Sequence, residues 1–145
     1  MLSLTEKEVD LIATQLLKGN VCFYQVDKKK IHHMPDDEDY FNYDLTEEEE
    51  DILDEIEDQP DNFAEFTKME PAQEHQMMQD FIDRKVKEKN LAEDLVNALS
   101  KPKAATGFKF LIEESKYKEE WVDYRKGKYS DWVKEQVDSF NYAED

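Results

Sequence analysis

Apolar positions recur with a helical period at the start of the chain and again through its second half, with a β-like stretch between. Val9, Ile12, Ala13, Leu16 and Leu17 share one face of a helix expected over residues 5–18, since residues three and four apart are neighbours on a helix surface. Thr5 and Glu8 have the spacing of a capping box, and Leu4 and Val9 flank it as a hydrophobic staple. Gly19 supplies the left-handed residue that stops the helix. The next run, NVCFYQVDKKKIHHM, is rich in β-branched and aromatic residues. It predicts a hairpin over residues 20–34: a strand Val21–Val26, a glycine-free turn near Asp27–Lys29, and a return strand Lys30–Met34 ended by Pro35.

Residues 36–58 read as an acidic loop followed by an acidic helix. Thr46 and Glu49 form a second capping box, while Ile52, Leu53 and Ile56 provide only a thin apolar stripe before Pro60 stops the helix. Phe63–Thr67 predicts a third short strand. Residues 70–140 then read as helical. Pro71 suits a first turn, and Met77, Met78, Phe81, Ile82 and Val86 share a face. Leu91, Leu95, Val96 and Leu99 mark a short helix ended by Pro102, and Phe108, Leu111 and Ile112 mark another. Tyr117, Trp121 and Tyr124 lie on one face of the next helix. Gly127 is expected to break it, with Ser130 capping a last helix that carries Trp132, Val133, Val137 and Phe140.

The fold expected is a single α+β domain over residues 1–145, mainly helical, with the early hairpin and a third short strand packed on the helices. A chain of 145 residues can bury roughly two thirds of its unfolded surface. Only three glycines and four prolines are present, which disfavours a turn-rich sandwich or barrel. The single Cys22 excludes an internal disulfide and points to a reducing compartment. The opening MLSLTEKEVDLIATQLLKG has no basic start and is interrupted by charges, so a signal peptide is not expected. No apolar run approaches the ~20 residues needed to span a bilayer. A soluble, cytoplasmic protein is the expectation, with no membrane partner.

Charge changes this picture more than composition does. The net charge is −18, and Ile31–Thr67 contains 16 acidic residues and no Lys or Arg. The rest of the chain holds 21 acidic and 19 basic residues, so nearly all the excess sits in one block. Such a field repels nucleic acid and anionic membrane and steers basic partners. Within it, Glu47, Glu48, Glu49 and Glu50 open the acidic helix. An EF-hand register starting at Asp36 would place Glu47 at the last ligand position, but it puts Phe41 where glycine is needed and Tyr40 at a ligand position. The calcium motif fails. Nine carboxylates over residues 47–58 give about one charge per 2 Å of helix, close to the ~1.7 Å of duplex DNA. Nucleic-acid mimicry is therefore one reading of the block, a docking surface for a basic protein a second, and a solvated helix face the simplest.

Candidate chemistry is sparse. His32 and His33 are adjacent, so on a strand they point to opposite faces. His75 follows Glu74 without an H-E-x-x-H or E-x-x-H pattern. Cys22 lies in an apolar strand, as a small core residue does. There is no glycine-rich phosphate loop and no G-x-S-x-G elbow. No catalytic residue, metal site or cofactor is expected. Tyr40, Phe41 and Tyr43, among acids, either anchor a partner or pin the long loop. Trp121, Tyr124 and Trp132 either seal helices to a core or line a surface groove, and Arg125, Lys126 and Lys128 beside them are candidates to face the acidic block of this chain or of a second copy.

The order of landmarks in the second half, MMQDFI, then LAEDLVNAL, then GFKFLIEESKYKEEWVDYR, resembles a bacterial family, uncharacterised protein family 0158. The residues that carry the likeness are Met78, Phe81, Leu95, Leu99, Phe108, Lys109, Trp121 and Tyr124. The first helix and FYQVDKKKIHHMP are also similar to that family's opening strand pair, with Lys28 and Lys29 where its members often have a glycine. The resemblance implies no catalytic or ligand residue. The function expected is a non-enzymatic interaction module meeting a basic protein, without direct nucleic-acid binding. The alternatives are a nucleic-acid mimic or inhibitor of a nucleic-acid-binding protein, and a small hydrolase using carboxylates.

Overall fold

The computed structural model describes residues 2–35 and 46–144. Helix α1 (Glu6–Leu17) starts as its capping box requires: the Thr5 hydroxyl accepts from the Glu8 amide at 3.1 Å, and the Glu8 carboxylate accepts from the Thr5 amide at 2.9 Å. Gly19, at φ 94°, turns the chain out of the helix into β1 (Asn20–Gln25). Strand β2 (Lys30–Pro35) pairs antiparallel with β1, and β3 (Phe63–Phe66) pairs with its other edge, giving the order β2-β1-β3. Pro35 lies inside β2 as its last residue, a place on an edge strand where a missing amide hydrogen is tolerated.

Register assigns the two faces of this sheet, because residues directly opposite in an antiparallel ladder point the same way. Cys22, Tyr24, Ala64 and Phe66 are on one face, and all four are buried. Helix α1 packs there, with Val9, Ile12, Ala13 and Leu16 inward. Val21, Phe23, Gln25, His32, Met34 and Phe63 are on the other face. Helix α2 (Glu47–Asp58) covers it through Ile52, Leu53 and Ile56. A 3-10 turn, Pro60–Asn62, leads from α2 into β3.

Four further helices follow: α3 (Pro71–Lys85), α4 (Lys89–Leu99), α5 (Ala104–Glu113) and α6 (Lys118–Glu144). Helices dominate, so the protein is a mainly helical α+β protein with a three-stranded antiparallel sheet, as the hydrophobic pattern predicts. Contacts divide the chain into two compact units, Met1–Lys68 with Tyr129–Asp145, and Met69–Lys128. Two sequence expectations are corrected. Gly127 does not break a helix, and Ser130 is not a cap: both lie inside α6. Gly127 is exposed with open space around its Cα, so it costs helix propensity of about 1 kcal/mol and nothing more. Val86 is not on the α3 face but in extended backbone just past its end.

In the first unit, Tyr129 and Val133 are fully buried, Phe140 stands edge-on to Phe66 with centroids 5.7 Å apart, and Asn141 bonds both the amide and the carbonyl of Leu2. In the second unit, Phe81 centres an aromatic cluster with Phe108, Tyr117, Trp121 and Tyr124 at centroid distances of 5.1–6.5 Å. Helices α4 and α5 approach closely enough that a Cβ at Gly107 would lie 3.3 Å from that of Ala98.

Candidate functional site

Helix α2 begins at Thr46, which shares a second reciprocal capping box with Glu49, both bonds at 3.1 Å. Nine of its twelve residues are acidic. At about 100° per residue, Ile52, Leu53 and Ile56 form a narrow stripe against Val21, Phe23, Met34 and Phe63, and Glu49 falls on the same side, half-buried. Glu47, Glu50, Asp51, Asp54 and Asp58 point away from the sheet, with Glu57 at one flank and Glu48 and Glu55 at the other. Among the described residues none of these carboxylates lies within ion-pair distance of a Lys or Arg. No residue of α2 is fully buried, so its hold on the sheet rests on half-burial of three aliphatic side chains, on the order of 1 kcal/mol each.

The polar tie between α2 and the sheet is Gln25, 3% exposed. Its Nε2 donates to the Glu55 carboxylate at 3.3 Å, and its Oε1 lies 3.0 Å from His32 Nε2. His32 is half-buried with its ring 6.4 Å from that of Phe63, whereas His33 on the opposite face is exposed. Burial pushes the His32 pKa down, Lys30 adds to this, and Glu55 and Glu48 oppose it. A cleft of about 320 Å³ runs between β2 and the first turns of α2, bounded by Lys30, His32, Met34, Glu48, Glu49 and Ile52. The Gln25 link left no signal in the sequence beyond a polar residue at the end of an apolar run.

The remaining sequence candidates lie elsewhere. Tyr40 and Phe41, like Tyr43, fall outside the described residues. Trp121 is buried in the Phe81 cluster, 4.8 Å from Phe108, and Tyr124 stacks on it at 6.2 Å. Trp132 is half-buried, its indole Nε1 donating to the Thr67 carbonyl at 2.7 Å. Arg125 reaches Glu74 at 3.5 Å, and Lys128 lies 5.5 Å from the Tyr124 ring centre. Cys22 is fully buried, which pushes its thiol up to about 12 and leaves it unreactive as a thiolate. No group of three or more His, Cys, Asp or Glu among the described residues is placed to hold a metal ion. A second cleft, of about 610 Å³, is lined by Ile82, Asp83, Lys89, Glu93, Val96 and Asn97 without a convergent acid–base pair. No helix among the described residues is long and apolar enough to cross a membrane.

These features define a mainly helical α+β protein whose small sheet carries an acidic helix on one face. The chain belongs to the uncharacterised protein family UPF0158, whose model matches residues 36–144. That match takes in α2 and everything after it, and leaves α1 and the β1–β2 hairpin outside. No curated protein and no solved structure matches the chain.

Proposed function

We propose that this protein is a non-enzymatic, cytoplasmic interaction module that docks a basic protein on the outer face of α2. The observation that supports the reading most is the geometry of that helix. Its apolar stripe is spent on the sheet, and five carboxylates face outward with no cation of the described chain beside them. A single-sign surface of this kind raises the local concentration of a cationic partner and speeds its encounter, more so at low salt.

A second reading, mimicry of nucleic acid, draws on charge spacing. Five outward carboxylates on a helix about 18 Å long are roughly one per 3.5 Å, near the ~3.4 Å phosphate spacing of a single strand rather than that of a duplex. The test is capture from native cytosol by the full chain and by a variant carrying Glu47→Gln, Glu50→Gln, Asp51→Asn and Asp54→Asn, which leaves the Glu49 cap and the Glu55 contact in place. A basic protein held by the wild type, released by salt and lost by the variant is the expected result. Displacement of that protein by DNA selects mimicry, and equal capture by both chains overturns the docking role.

A further inference from the structure

The two edges of the sheet are finished differently. Val26, just past β1, donates to the Asn62 carbonyl at 2.8 Å, continuing the register that pairs Tyr24 with Ala64 and Cys22 with Phe66. Main-chain bonding sides alternate along a strand, so Cys22 and Tyr24 bond β3, while Val21, Phe23 and Gln25 bond β2. Through the β1–β2 register, Lys30, His32 and Met34 therefore turn their amides and carbonyls to β1, and Ile31 and His33 turn theirs outward. The β3 edge is largely closed: the Phe63 amide donates to the Pro60 carbonyl, and Thr67 is bonded by Gln136 and Trp132. On the β2 edge, neither the Ile31 nor the His33 amide has a partner among the described residues. His33 is exposed, Ile31 is half-buried, and the cleft of about 320 Å³ lies beside them.

We propose that β2 is a docking strand: an extended, basic segment of a partner protein adds to its outer edge as a fourth strand. Main-chain bonds to Ile31 and His33 supply the pairing. His32 and Met34 lie on the α2 side of the sheet, so alternate side chains of the added strand enter the cleft there, bounded by Glu48, Glu49 and Ile52. A Lys or Arg suits that position, its aliphatic stem along Ile52 and its charge toward Glu48. Lys30 at the turn end disfavours a further cation there, and Pro35 ends the pairing at the other, so the docking stretch is short. A second copy of this chain offers the same edge, but repulsion opposes pairing two chains of net charge −18. The choice of a basic segment rests on the proposed role of α2 as an acidic docking surface, whereas strand addition rests on the edge itself.

The experiment uses the full chain, labelled for amide NMR. In the free chain the Ile31 and His33 amides should exchange faster than those of His32 and Met34. The probe is a capped peptide of about seven alternating Val and Lys residues, tested to about 1 mM beside its Val–Glu counterpart. The Val–Lys peptide should protect Ile31 and His33 and bind at least about tenfold more tightly than the Val–Glu peptide. Alternate amides of an added strand face β2, so N-methylation of either the Val or the Lys residues, but not of both sets alike, should weaken binding roughly tenfold. His33→Pro removes one outward donor without touching the β1 pairing, a change an edge strand tolerates, and should weaken binding where His33→Ala does not. Full binding by both methylated peptides overturns strand addition while leaving α2 docking in place, and equal binding of the Val–Glu peptide overturns the basic segment. Protection of Ile31 and His33 in the free chain, or no peptide bound, overturns the proposal outright. Protection that grows with protein concentration alone would put a second copy on the edge instead. The peptide arms decide the matter even if His33→Pro does not fold.

Discussion

The indole Nε1 of Trp132 donates to the main-chain carbonyl of Thr67 at 2.7 Å, just past the end of β3. Gln136, one turn further along α6, bonds the amide of the same residue at 3.1 Å and its carbonyl at 3.3 Å. Thr67 thus finds in two side chains the main-chain partners that a longer strand would have found in a sheet. Trp132 thus acts as a peg for the chain leaving the sheet.

Trp132→Phe keeps the ring and removes the donor. Gln136 still satisfies the Thr67 carbonyl, so the loss should be that of one ordinary hydrogen bond, about 1 kcal/mol. A urea midpoint lowered with unchanged slope is the expected outcome. Wild-type stability would mean that water replaces the indole without cost.

The Tyr124 hydroxyl is buried and has no hydrogen-bond partner among the described residues, and burial is the main reason its pKa is raised. The ring itself packs well, 5.2 Å from Phe81 and stacked on Trp121. Removing an unpaired buried hydroxyl returns its desolvation cost while leaving the ring contacts. Tyr124→Phe should be at least as stable as wild type, by up to ~1 kcal/mol in chemical denaturation. A clear loss would show that the hydroxyl has a partner, such as an ordered water.

Glu88, just before α4, accepts from Lys116 at 2.6 Å and from the Tyr117 hydroxyl at 2.5 Å. The Lys116 bond first, and Tyr117 second, lower its carboxyl pKa to about 2. The folded value lies below the unfolded ~4.3, so the stabilising contribution is full above that pH and is lost as pH falls from ~4.3 through about 2. Carboxyl carbon NMR should place this titration far below that of an ordinary glutamate, and Lys116→Gln should move it up. An unchanged Glu88 titration in Lys116→Gln would assign the shift to Tyr117 alone.

Much of the fold was legible because local chemistry and tertiary packing agree. Both Thr–Glu capping boxes, the hairpin, the third strand and the Phe81 face follow from short-range pattern. Reading a break at Gly127 gives a weak local preference too much weight. Gly127 lies inside α6, exposed and with open space around it, so a glycine there costs only helix propensity and does not end the helix. Of the site, the acidic face of α2 was legible from composition. The Gln25 link was not, because it joins residues 7 and 30 positions apart, and only the register of β1 against β2 and the placement of α2 bring them together.

The hairpin turn shows how the chain manages without glycine. Lys29 adopts φ 52°, a left-handed conformation that costs a residue with a Cβ roughly 1–2 kcal/mol. Asn62 holds the turn from outside, its side chain exchanging two bonds with Asp27 at 3.1 and 2.9 Å and its carbonyl accepting from Val26 at 2.8 Å. Lys29→Gly removes the left-handed strain but adds backbone entropy to the unfolded chain, of roughly 0.5–1 kcal/mol. The balance favours the variant by about 0.5–1 kcal/mol, read as a raised midpoint in urea. Asn62→Ala should act the other way, since it removes both side-chain bonds to Asp27 and leaves only the main-chain bond from Val26. A loss of stability in Lys29→Gly would mean that the lysine side chain itself contributes more to the turn than its backbone strain removes.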